Sequence, residues 1–163
     1  MHARSISTLK VAIAGDREIV MTRVFDAPRR LVFDAMTKPE LLKRWFFRPT
    51  GWELAVCEID LRVGGRYRYV WRKANGVEMG MGGIYLEVTP PVRTVQTEVF
   101  DQSWYEGEAV TTMALLEADG KTTLTLTASY ESRETRDAVM RTPMEEGVRE
   151  IYDALAALLP SLA

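Results

Sequence analysis

The chain has 163 residues, 47% of them hydrophobic and 27% charged, the length of one domain and the composition of a globular one. Twenty-one basic residues against 23 acidic ones leave a net charge of −2, so no bulk attraction draws the chain to nucleic acid or to an anionic membrane. With one cysteine, Cys57, and one histidine, His2, an intrachain disulfide and a thiolate metal cage are excluded, and any Ser-His-Asp or Cys-His mechanism would depend on an imidazole at the extreme N-terminus.

Residues 1–17 read as a loose leader and 18–163 as a single domain. The apolar patch Val11-Ala12-Ile13-Ala14 is shorter than the roughly 7–15 residues of a secretory h-region. No stretch approaches the roughly 18 apolar residues of a membrane span. Cytoplasm is the expected location. Glu18 to Phe25, rich in β-branched and aromatic residues, predicts a strand stopped by Asp26-Ala27-Pro28. Proline suits a first helical turn, so Asp26 or Ala27 is expected to cap a short helix carrying Leu31, Val32, Phe33 and Met36. Thr37-Lys38-Pro39-Glu40 has the form of a capping box, leading into a second short helix with Leu41, Leu42, Trp45 and Phe46 on its apolar side.

Beyond Pro49-Thr50-Gly51 the period becomes that of strands. Trp52 to Leu61 is the first of these. In Arg66 to Lys73 the residues Tyr67, Tyr69 and Trp71 point one way, and Arg66, Arg68 and Arg72 the other. Asn75-Gly76 predicts a tight hairpin into a strand from Val77 to Val88, where Gly80, Gly82 and Gly83 suggest a bulge or bend. Pro90-Pro91 ends it. Arg93 to Phe100, Gly107 to Glu117 and Thr122 to Tyr130 complete the strands, with a loop at Asp101 to Trp104 and a hairpin turn at Asp119-Gly120. Arg133 to Arg141 is a short helix, and Thr142-Pro143-Met144-Glu145 repeats the capping-box form. From Pro143 to Leu159 the residues Met144, Val148, Ile151, Tyr152, Leu155, Leu158 and Leu159 recur every three or four positions, the mark of a long amphipathic helix.

The order is strand, two short helices, six strands and a long helix, an α+β chain joined mostly by the short turns of an antiparallel meander. The long helix has one apolar stripe, and the sheet is its only large partner. A sheet curled about that helix can leave a wedge of space between them.

Several motifs carry a resemblance: Thr22 to Pro28 with Val32-Phe33; Pro39-Glu40-Leu41-Leu42 leading to Trp45; Asp60 to Tyr67; Gly83 to Val88 with Pro90-Pro91; and Thr122 to Leu126. In this order, over about residues 18–159, they resemble the START-like (SRPBCC) superfamily, and within it the branch named for the C-terminal domain of the activator of heat-shock-protein-90 ATPase. The resemblance implies a helix-grip fold, a curved antiparallel sheet wrapped around the long C-terminal helix. The superfamily includes lipid and hormone carriers, polyketide cyclases and aromatases, ligand sensors and chaperone-binding domains. Such a fold leaves function to the site residues.

Trp45, Tyr67, Tyr69, Trp71, Tyr85, Met113, Met144, Val148 and Tyr152 are the candidate lining of an apolar pocket with polar tips for orientation. The competing reading is that they simply fill the core. Gly147, in mid-helix, either admits close packing on the sheet or leaves room for a ligand. The arginine row Arg62, Arg66, Arg68 and Arg72 with Lys73 reads as the solvated outer face, since the aromatics lie opposite. Carboxylates offer the only acid–base chemistry in view: Glu58, Asp60 and Glu98 lie in expected strands and would suit it if they face inward, though exposure or pairing with Arg62 or Arg66 competes. Cys57 reads as a small buried hydrophobe.

The leading expectation is a non-enzymatic domain holding a small apolar or aromatic molecule between the sheet and the C-terminal helix. A chaperone-associated interaction domain, implied by the family name, and a cofactor-free cyclase or hydrolase are the alternatives. No motif implies a cofactor or metal. The expected partners exclude nucleic acid and membrane, and monomer and homodimer stay equally open.

Overall fold

The computed structural model describes residues 9–47 and 51–163. Eight strands form one antiparallel sheet in the order β1-β2-β8-β7-β6-β5-β4-β3. They are β1 (Lys10–Ala14), β2 (Glu18–Phe25), β3 (Glu53–Ile59), β4 (Arg66–Arg72), β5 (Glu78–Thr89), β6 (Arg93–Phe100), β7 (Ala109–Ala118) and β8 (Lys121–Ser129). Helices α1 (Arg29–Thr37) and α2 (Pro39–Trp45) carry the chain from β2 to the far edge of the sheet. Strands β3 to β8 then return as a meander, until β8 pairs with β2 through Met21 opposite Leu126. Helices α3 (Arg133–Met140) and α4 (Met144–Leu158), with a terminal 3-10 turn at Leu159–Leu162, close the chain. This is the helix-grip architecture.

Alternation on the strands sends one row of side chains inward. Ile19, Phe25, Trp71 and Leu124 from the sheet meet Val32, Phe33, Trp45 and Leu155 from the helices, each at most 2% exposed. Burial of each such side chain contributes about 1.5–3 kcal/mol.

Several local expectations need correction. Part of the supposed leader is structure: Lys10–Ala14 forms β1, paired along its length with β2 across a turn in which Gly15 takes a φ of 53°. An edge strand packs little on either face, so its sequence lacks the alternation by which inner strands are recognised. His2 and the rest of residues 1–8 lie outside the described residues, as do Pro49 and Thr50 of the expected turn.

Neither capping box forms. The Thr37 hydroxyl donates backward to the Phe33 carbonyl at 2.7 Å, and the Thr142 hydroxyl to the Val139 carbonyl at 2.6 Å. Each threonine closes the helix before it, so the N-cap positions of α2 and α4 fall to Lys38 and Pro143. Similarly, Pro28 stands at the N-cap of α1 in place of Asp26 or Ala27. A side-chain cap occurs at α3 instead, where Ser132 Oγ accepts from the Thr135 N–H at 3.1 Å.

The β5 glycines mark no bulge against β4, where the register runs unbroken from Arg66 opposite Ile84 to Arg72 opposite Glu78. They mark close approach. A Cβ on Gly83 would strike the Thr97 carbonyl of β6, and one on Gly80 the Asp101 carboxylate. The irregularity of β5 lies further on, between Tyr85 and Glu87, against β6.

Candidate functional site

Strand β4 sorts its side chains as its alternation requires. Tyr67, Tyr69 and Trp71 are at most 5% exposed. Arg68 and Arg72 lie on the outer face, paired with Asp101 and Glu78 at 2.7 Å each. The Arg68 guanidinium holds the Asp101 carboxyl below its ordinary range by hydrogen bonding. Much of the arginine row is thus neutralised by carboxylates.

Between the inner face and α4 lies a cavity of about 500 Å³. Met21, Met79, Met81, Glu98 and Leu126 line it from the sheet, and Met144, Val148, Ile151 and Tyr152 from α4. Phe46, Phe47 and Trp71 form one aromatic end. Ring centroids there lie 5.2 Å apart for Phe46 and Trp71 and 4.8 Å for Phe47 and Trp71. Phe47, with a φ of 65°, occupies the left-handed region that non-glycine residues seldom adopt. Gln102, Ser103, Trp104 and Thr142 also line it and are solvent-exposed, which places the mouth between the β6–β7 loop and the start of α4.

A second cavity of about 110 Å³ adjoins the first, sharing Phe46, Met81, Glu98, Thr111, Leu126 and Tyr152 as common lining. Its remaining lining includes Trp45, Tyr69, Tyr85, Met113, Thr94 and Gln96.

The nine expected pocket residues divide between these spaces. Trp71, Met144, Val148 and Tyr152 line the larger, and Trp45, Tyr69, Tyr85 and Met113 the smaller. Tyr67 lines neither. Its hydroxyl donates to the Thr97 carbonyl, and its ring packs between Tyr69 and Tyr85, so it belongs to the core. Trp45 is anchored by its Nε1–H to the Ala35 carbonyl at 3.0 Å. Trp71 Nε1, buried among aromatic rings, has no hydrogen-bond acceptor among the described residues. Gly147 does not serve close packing: nothing lies within 4 Å of a Cβ built there.

Polarity enters the cavity from β6. Its inward row is Thr94, Gln96 and Glu98, and all three line cavity wall. Glu98 Oε2 accepts from Thr111 Oγ1 at 3.4 Å. Burial pushes the Glu98 carboxyl up to about 7, against a smaller opposing effect of that hydrogen bond. Tyr69 and Tyr152 are also pushed up, chiefly by burial, with the charge of Glu98 adding to it. Glu58 and Asp60 form no inward pair. Both are exposed, and Asp60 is bound by Arg62 at 2.8 Å. Burial raises the half-buried Cys57 thiol to about 11, so it is protonated at neutral pH and a poor nucleophile. Among the described residues no three His, Cys, Asp or Glu side chains gather to hold a metal ion, and no helix is long and apolar enough to cross a membrane.

Sequence reasoning missed Phe46 and Phe47 as wall residues, and the loop pair Trp104 and Tyr105. Their signal was present in two adjacent aromatic pairs, each at a break in periodicity. It also weighed Glu98 without using the row Thr94, Gln96, Glu98, whose alternation marks a polar stripe on the inner face.

Against known proteins, the model of the family described as activator of Hsp90 ATPase homolog 1-like protein matches residues 26–160. The chain belongs to this family. Its fold is that of the START-like superfamily. Among solved structures, a protein from Rhodobacter sphaeroides is 30% identical, with 94% of this chain and 99% of that one covered at a TM-score of 0.88. One from Chromobacterium violaceum is 31% identical, with 86% and 96% covered at 0.68. Another, from Nitrosomonas europaea, is 27% identical, with 91% and 97% covered at 0.78. No curated protein matches the sequence significantly. Within this family fold, the cavity occupies the space between the gripping sheet and the gripped helix.

Proposed function

We propose that this family member binds a small apolar or aromatic molecule between the sheet and α4 without transforming it. The observation that carries the reading is the cavity of about 500 Å³, walled mainly by methionines and aromatic rings. Its volume and lining fit the usual small-molecule site, mostly apolar with a few placed polar groups. Methionine-rich walls adapt to ligand shape, because the side chain is unbranched and polarizable. Glu98 is the wall's one carboxylate among the described residues, and with its carboxyl pushed up to about 7 it is the group through which the cyclase or hydrolase alternative would act. The chaperone reading has only the family name in its support.

Native mass spectrometry of the purified protein, followed by denaturation and extraction, tests the proposal. A stoichiometric small molecule is the expected result. If the protein emerges clean, a thermal-shift screen of apolar and aromatic compounds follows. A true ligand at about 100 times its dissociation constant stabilises the fold by roughly 2.7 kcal/mol. The variant Val148→Trp, which intrudes on the cavity from α4, is expected to weaken that shift. A screen that moves nothing overturns the reading and leaves a chaperone pull-down as the next test.

A further inference from the structure

Glu98 is the one carboxylate that lines either cavity among the described residues. It stands where the two cavities meet, and its one hydrogen-bond partner among the described residues is Thr111. Sharing cavity wall with it are Tyr69 from β4, Tyr105 from the β6–β7 loop, Tyr130 at the end of β8, Tyr152 from α4 and Thr111 from β7, and its charge also reaches the core residue Tyr67. None of these carries a positive charge. Among the described residues neither cavity is lined by any lysine, arginine or histidine.

A carboxylate in such a place has acceptors and, among the described residues, no cation. Taking an ionised group out of water without a partner is costly, and an anionic ligand beside it would add repulsion to that cost. A protonated amine supplies what the wall lacks. Its N–H groups donate to the carboxylate, a charge-assisted bond of the stronger kind. The aromatic end formed by Phe46, Phe47 and Trp71, with Tyr152 on α4, adds ring faces that attract a cation.

We propose that the cavity selects hydrophobic amines, with the ligand's protonated nitrogen donating to the Glu98 carboxylate and its apolar body lying among the methionines and rings. This inference rests on the small-molecule reading above and narrows it, since fatty acids and other hydrophobic anions are disfavoured. Burial holds the Glu98 carboxyl near 7, and a bound ammonium favours its ionised form. Amine binding therefore weakens as the pH falls and Glu98 takes up a proton.

Three probes that share one ring system decide it: naphthylmethylamine, naphthylmethanol and naphthoic acid, titrated calorimetrically into the full chain. At about pH 8 the amine is expected to bind roughly tenfold tighter than the alcohol, with the acid weakest. On lowering the pH to about 5.5 the amine is expected to lose on the order of tenfold in affinity while the alcohol changes little. Glu98→Gln, close to isosteric, is expected to erase both the amine preference and its pH dependence while retaining the alcohol. Equal binding of amine and alcohol by the parent protein overturns the inference and leaves the small-molecule reading standing. So does an amine preference that survives in Glu98→Gln. If the alcohol also fails to bind, both readings fall. The pH series on the unmodified protein discriminates between these outcomes whether or not the variant folds.

Discussion

The two halves of α4 carry one continuous apolar stripe but meet the sheet differently. In the C-terminal half, Ile151, Tyr152 and Leu155 are buried, Leu155 completely. Tyr152 meets Phe25 edge-on, with ring centroids 6.0 Å apart. Asp153 is tied to the buried Arg23 of β2 at 2.7 Å. In the N-terminal half, Met144, Gly147 and Val148 are only half-buried, and Met144 and Val148 face the cavity, which Ile151 and Tyr152 border at mid-helix. The stripe therefore grips at one end and stands off at the other. What differs is what the rings pack on: Phe25 and Trp45 pack on Tyr152 of the helix, whereas Phe46, Phe47 and Trp71 of the cavity wall pack on one another.

The largest expected effect comes from breaking the grip. Leu155→Ala should cost about 2–5 kcal/mol, because the cavity it leaves in a packed region cannot collapse. Val148→Ala, bordering space that already exists, should cost about 1 kcal/mol or less. Urea denaturation of both variants measures the contrast, and equal losses would erase the distinction between the halves.

Next in size is the pH dependence of Glu98, a carboxyl raised from 4.5 to about 7 in the folded chain. Because the folded state holds this proton more tightly than the unfolded one, the stabilisation is complete below about 4.5 and is lost as the pH rises through about 7. Glu98→Gln should flatten that decline and be more stable than the parent at about pH 8 by up to about 3 kcal/mol. Denaturant melts across the pH range would show it. A parent protein whose stability does not fall over that interval contradicts the burial of this carboxyl.

A smaller loss should follow Asp153→Ala. Arg23 is 5% exposed and its Nε already lacks a hydrogen-bond partner among the described residues. Removing the carboxylate leaves the guanidinium less satisfied still, though Asp153 is 57% exposed and water screens the pair. A loss of about 1–2 kcal/mol is expected, with part of it recovered when Arg23→Met is added. Full additivity of the two substitutions in a double-mutant cycle would show that the tie does not couple the helix to the sheet.

Smallest is Gly147→Ala. With open space around the added methyl, the substitution should stabilise α4 by about 0.5–1 kcal/mol. A thermal melt that drops instead would mean that the N-terminal half packs closely on the sheet.

How much of this was readable in advance varied with the kind of interaction. The β4 row was legible because alternation is a local property, and the arginines could lie only on the face opposite the rings. The amphipathic α4 and the inner strands were legible for the same reason. The threonine caps were misread because a hydroxyl can turn forward to the next helix or back to the last one. That choice depends on how few residues separate the helices, with Lys38 alone between α1 and α2. Strand β1 escaped notice because an edge is stabilised by backbone pairing, which any side-chain pattern permits.

The site was legible in part. Eight of the nine residues expected at the pocket line one of the two cavities, and Tyr67 does not. Nothing in its spacing separates Tyr67 from Tyr69, because both obey the same alternation and differ only in what lies across from them. By itself the sequence determined the class of fold, the inward face of each inner strand and the helix that the sheet would grip, since these follow from periodicity and turn chemistry. The distance between the faces was decided by tertiary structure alone. It depends on how side chains remote in sequence, such as Phe46, Glu98 and Val148, fill a shared space. A volume of that kind is a difference between packed shapes, and no single segment carries it.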